Sequence, residues 1–196
     1  MQESEREFIT IVSGLPRSGT SLMMQILAAG GIPPLTDQQR MPDENNPRGY
    51  LEYEAVKQLR HDRSWLAHAR GKAVKIIHLL LSELPNDGSL TFRVLLMQRT
   101  IGEVLSSQRK MLARDGKAGA ALADEALARI YLGQLEKAER WLASSPAFRV
   151  LKVEHRALLT EPAPVAELIN DFLGGGLETA AMVAAVDPAL YRERSV

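Results

Sequence analysis

Residues 8–27, FITIVSGLPRSGTSLMMQIL, constrain the chain more than any other stretch. The opening residues Phe8, Ile9, Thr10, Ile11 and Val12 are apolar and rich in β-branched side chains, the signature of a buried strand. Ser13 to Ser21 follow, with Gly14 and Gly19 bounding a turn that holds Pro16, Arg17 and Ser18. Residues 22–29 are apolar helix formers and stop at Gly30 and Gly31. Strand, glycine-bounded loop and helix in that order aim backbone N–H groups and a helix N-terminus at one spot. Such a spot favours an anion.

Gly14, four residues, Gly19, then Thr20 and Ser21 reproduce the G-x-x-x-x-G-K-[ST] spacing of the Walker A loop with one change. Thr20 stands where the lysine would be. That lysine reaches the terminal phosphates of a nucleoside triphosphate, so its replacement argues against ordinary ATP or GTP hydrolysis. The loop carries its own cation, Arg17, whose planar fork matches phosphate or sulfate oxygens.

The rest of the chain alternates strands with helices. Residues 73–77, 92–97 and 148–153 read as further strands, and FRVLLM at 92–97 is apolar enough to be covered on both faces. Helices are expected over 51–69, 79–84, 101–113, 118–143 (as one or two), 164–173 and 178–185, and 32–48 as a proline-rich surface loop. This alternation predicts an α/β fold of P-loop type: three layers, with a central parallel sheet and helices on both faces. With 196 residues and no repeat, one domain spanning 1–196 is expected. Ligands of such sheets lie outside the strand carboxyl ends. Arg99 follows one strand and the glycine loop another, so both are expected at one crevice.

Lysines and arginines balance acids at 24 each, which disfavours a general nucleic-acid partner. The absence of cysteine removes disulfides, thiolate nucleophiles and cysteine-bound zinc. No apolar run approaches the roughly 20 residues of a membrane span. The start is polar and acidic, unlike a signal peptide, so a cytoplasmic protein is expected.

Arg99 and Ser107, eight residues apart, could bracket a second phosphate. With the loop Pro16-Arg17-Ser18-Gly19-Thr20-Ser21, they give the chain its resemblance. It is similar to sulfotransferases that use 3′-phosphoadenosine 5′-phosphosulfate (PAPS), closest to the branch with arginine in the loop, which includes tyrosylprotein sulfotransferases and many bacterial members. Residues 150–172, beginning VLKVEHRALLTEP, resemble a later strand-and-helix element of that family. The resemblance implies that Pro16, Arg17, Ser18, Gly19, Thr20 and Ser21 bind the 5′-phosphosulfate, and that Arg99 and Ser107 hold the 3′-phosphate. It implies no metal and an acceptor hydroxyl or amine on a small molecule, glycan or peptide. Arg17, Thr20, Ser21 and the loop N–H groups would stabilise charge developing during transfer.

Family members use a histidine or glutamate as base. His61, His68, His78 and His155 sit in no matching motif. The segment Asn46-Pro47-Arg48-Gly49-Tyr50-Leu51-Glu52 resembles one seen in bacterial members, which points to Glu52 as general base, with Glu54 and Glu44 behind it. The late Arg-Lys-Gly loop of cytosolic members is absent; Arg192 and Arg194 are the candidates to substitute for it, but in the basic tail they read rather as solvated residues. Two other functions fit the same loop: a nucleoside-phosphate kinase or NTPase with a degenerate Walker loop, and a non-catalytic nucleotide-binding protein of the same fold.

Overall fold

A computed structural model describes residues 7–37, 39, 49–114, 116 and 123–186. Its centre is a four-stranded, all-parallel sheet in the order β2-β1-β3-β4. The strands are β1 (Ile9–Gly14), β2 (Ala73–Lys75), β3 (Phe92–Gln98) and β4 (Phe148–Glu154). The helices are α1 (Thr20–Ala29), α2 (Ile101–Arg114), α3 (Asp124–Ser144), α4 (His155–Thr160), α5 (Pro162–Phe172) and α6 (Thr179–Ala185).

Alternate strand residues feed two separate cores. Val12, Leu95, Met97 and Val153 pack with α1, α5 and α6 through Met23, Leu27, Ile169 and Met182. Ile9, Ile11, Val94 and Leu96 point the other way, onto Trp65, Leu66 and Leu142 of α3. Every residue of β1 is buried, which is why its sequence shows an unbroken apolar run instead of a period of two. Phe92 and Phe148 are register partners and stack at 4.7 Å between centroids, with Trp141 edge-on at 4.8 Å. The three-layer α/β architecture follows from this two-sided burial.

Local differences have local causes. The helix expected over 51–69 is instead two 3₁₀ segments, Glu54–Gln58 and Ser64–Ala69. Asp62 accepts the Ser64 N–H at 2.9 Å, a side-chain turn that competes with helix continuation. The helix at 79–84 is a 3₁₀ segment, His78–Glu83, ended by Leu84 in the extended conformation that a following proline demands. Strand β2 stops at Lys75, two residues early. The chain after β4 forms an additional short helix, α4, before Pro162 opens α5 at its first turn.

Candidate active site

The loop between β1 and α1 needs both its glycines. A Cβ on Gly14 would lie 2.5 Å from Ser18 Oγ and 2.8 Å from the Met97 carbonyl oxygen. Gly19, at φ 100°, forms the N-cap of α1, and a Cβ there would lie 2.4 Å from His155 Cδ2. Between them the Ser18 N–H donates to the Leu15 carbonyl at 3.2 Å, and Arg17 takes a left-handed φ of 66°. That conformation is unusual for a residue with a side chain and marks a site held in place by its surroundings.

The surroundings are Arg99, Glu103 and Ser107. Arg99 leaves the carboxyl end of β3 and donates from Nη1 to the Arg17 carbonyl at 3.0 Å. Its Nε donates to Glu103 Oε2 at 2.9 Å, and both side chains are buried. From the loop side, Arg17 Nε donates to Ser107 Oγ at 3.1 Å. The residues named from sequence for a second phosphate therefore meet the loop cation directly.

Lys75 carries a second cluster at the carboxyl end of β2. Its Nζ is nearly buried, donates to Ser21 Oγ at 2.9 Å and to the Tyr50 carbonyl, and lies 3.7 Å from Glu52 Oε1. The intervening Leu51 is left-handed, at φ 50°. Thr36 Oγ1 donates to the Glu52 carbonyl at 2.8 Å and ties the turn to the chain after α1. Glu52 thus faces the start of α1 through Lys75. Glu54 turns elsewhere: its carboxylate pairs with the exposed Lys57 at 2.7 Å, and its N–H donates to Asp37 Oδ2. Glu44, Arg48, Arg192 and Arg194 lie outside the described residues.

The other loop residues divide by position. Thr20 and Ser21 begin α1, where the helix dipole favours an anion. Pro16 is exposed at the loop tip. The Ser18 hydroxyl is buried beneath the loop and has no hydrogen-bond partner among the described residues, so Ser18 shapes the loop from inside.

Two histidines brace the loop from below. His78 is buried, its Nδ1 3.2 Å from the Gly14 carbonyl oxygen and its Nε2 3.1 Å from Gln134 Oε1. His155 packs its ring on Gly19. Burial, and then the neighbouring Arg99 charge, lower its pKa from 6.5 to about 4, while Glu103 acts in the opposite sense. A neutral imidazole therefore sits behind the loop at neutral pH.

Lys75, Glu103, His78 and His155 are absent from the sequence-derived site. Lys75 sits in the middle of the strand expected over 73–77, and only the early end of β2 brings it to the ligand-bearing edge of the sheet. Among the described residues no group of acids and histidines is arranged to hold a metal ion. No described helix is long and apolar enough to cross a membrane.

No family model and no curated protein sequence matches the chain. Solved structures do. A sulfotransferase domain from the Synechococcus PCC 7002 olefin synthase superposes with a TM-score of 0.58 at 16% identity, over 100% of this chain and 92% of that one. The sulfotransferase domain of the curacin biosynthetic pathway gives 0.55 at 15% identity, over 94% and 79%. A sulfotransferase from Alicyclobacillus acidocaldarius gives 0.51 at 16%, over 95% and 97%. The α/β fold with its central parallel sheet is the one these sulfotransferases adopt.

Proposed function

We propose that the protein is a sulfotransferase that moves a sulfuryl group from PAPS to a hydroxyl or amine acceptor on a small molecule, glycan or peptide. One observation carries this reading: Arg17, Arg99 and Ser107 form a single hydrogen-bonded cluster at the phosphate-type loop. Two anions on one ligand, a phosphosulfate and a separate phosphate, suit that cluster better than one linear triphosphate. The glycines at 14 and 19 let the loop pack tightly on Ser18, Met97 and His155, which leaves its backbone N–H groups and the start of α1 to face an anion.

When bound, PAPS supplies the sulfuryl group and leaves as 3′-phosphoadenosine 5′-phosphate. The chain's own residues do the rest. The loop N–H groups, Arg17, Thr20 and Ser21 offer donors for negative charge on the bridging and sulfuryl oxygens. Lys75 adds a cation beside Ser21, from the strand on the other side of β1 from Arg99. Glu52, held by the same lysine, takes the acceptor proton as general base. Its branch of the family would be the one with arginine in the loop.

Isothermal titration with 3′-phosphoadenosine 5′-phosphate, followed by sulfate transfer from labelled PAPS to a panel of hydroxyl and amine acceptors, tests the proposal. Binding without magnesium and transfer to at least one acceptor class are expected. Folded protein that does not bind the nucleotide would refute the PAPS assignment. Turnover unchanged in Glu52→Gln would refute the assignment of the base.

A further inference from the structure

Glu103 and Ser107 are four residues apart on one face of α2, and Arg99 lies in the short link between β3 and that helix, within reach of Glu103. All three are buried. Placing an acid in the middle of this strip is costly where the surroundings must attract an anion, unless the acid has a task. Its geometry shows what that task is. A guanidinium is planar, so fixing two of its nitrogens fixes its plane and direction. Glu103 takes Nε at 2.9 Å and the Arg17 carbonyl takes Nη1 at 3.0 Å. Of these two holds, only Glu103 is anchored in a helix independent of the loop.

We infer that Glu103 is a positioning residue, which sets the direction of Arg99 and through it the recognition of a second phosphate on the nucleotide. The inference rests on the PAPS reading, since that is what supplies a second phosphate. In this role Glu103 contacts Arg99 and acts by where it holds the guanidinium, not by its charge. Replacement by glutamine keeps an oxygen that can accept from Nε, whereas aspartate keeps the charge but withdraws it by one methylene.

The measurement is the ratio of affinities for 3′-phosphoadenosine 5′-phosphate and adenosine 5′-monophosphate, which lacks the 3′-phosphate. Titrations at one fixed ionic strength would cover the wild type and the Glu103→Gln, Glu103→Asp and Glu103→Ala variants. The wild type is expected to prefer the bisphosphate by at least about tenfold, the effect of one good charged contact. Glu103→Gln should keep most of that preference. Glu103→Asp and Glu103→Ala should lose most of it, with circular dichroism reporting an intact fold. If the alanine variant does not fold, the glutamine and aspartate variants decide the matter alone. Equal preference in the aspartate variant and the wild type would overturn the inference, as would loss in the glutamine variant matching that in the aspartate variant. Wild-type protein that binds neither nucleotide would instead overturn the PAPS reading, and the role of Glu103 with it.

Discussion

At the scale of single residues, the site draws on a further cation from outside its loop. Lys75 binds Ser21, the Tyr50 carbonyl and Glu52 from a neighbouring strand. Lys75→Ala should lower the rate of transfer by about a hundredfold, the usual scale for losing one preorganised donor at developing charge. Affinity for 3′-phosphoadenosine 5′-phosphate should fall much less, since Arg17 and Arg99 remain. Single-turnover rates set beside titrations check this, and an equal loss in both would mean that Lys75 serves binding alone. His155 makes a different prediction. Its folded pKa of about 4 lies below the ordinary 6.5, so the unfolded chain binds the extra proton first. The stability that comes from keeping it neutral is fully present above pH 6.5 and is lost as pH falls towards 4. The full effect is on the order of 3 kcal/mol, from about 1.4 kcal/mol per unit. Denaturant titrations between these pH values should show a shallower acid limb in His155→Gln, which carries no charge at any pH. Identical slopes in the variant and the wild type would assign the acid limb to other groups.

At the scale of elements, the strand-loop-helix at 9–29 stands close to where the sequence puts it, and the reason is locality. A buried β-branched run, two glycines and an apolar helix act through neighbours along the chain, so composition alone reveals them. The segment after residue 51 is the opposite case. It carries helical apolar spacing, yet the Asp62–Ser64 turn and the left-handed Leu51 divert it into two 3₁₀ segments. The pairing of Arg17 with Ser107 spans 90 residues, and that of Lys75 with Ser21 spans 54. The first was within reach because both residues belong to recognisable motifs; the second depends on sheet order, which no local pattern encodes. The His155 ring beneath Gly19 is likewise set by the pairing of β4 with β3. That contact predicts a coupling between elements. Gly19→Ala combines a disfavoured φ with a clash 2.4 Å from the imidazole, so about 2–4 kcal/mol of stability should be lost, together with nucleotide binding. In a His155→Ala background the same change should cost measurably less, because only the backbone strain remains. Gly31→Ala, also left-handed at φ 95° but with open space around its Cβ, supplies the strain-only reference. A double-mutant cycle by denaturant unfolding measures the difference.

At the scale of the whole molecule, sheet order creates the charge pattern. Strand β1 lies between β2 and β3, so Lys75 and Arg99 leave the strands on either side of β1 and arrive on opposite flanks of the loop between β1 and α1. Formal net charge is zero, so attraction for an anion at this edge comes from its local cations and not from the charge of the whole chain. The strand that leads into the loop carries both cores, because Val12 packs on one face of β1 and Ile11 on the other. A ligand that bridges the flanks therefore binds only when both layers are in place, and it should stabilise the domain as one unit. At a concentration about 100 times its dissociation constant, 3′-phosphoadenosine 5′-phosphate should add about 2.7 kcal/mol. For a chain of this size that corresponds to a rise of roughly 5–11 °C in the unfolding midpoint. Calorimetry should show a single transition moving as a whole. Arg99→Ala, titrated at the same absolute nucleotide concentration, should move by only a fraction of that amount, because one flank is missing. A transition that splits on adding nucleotide, with only part of the heat shifted, would mean that the two cores unfold separately and that the ligand is held by one of them alone.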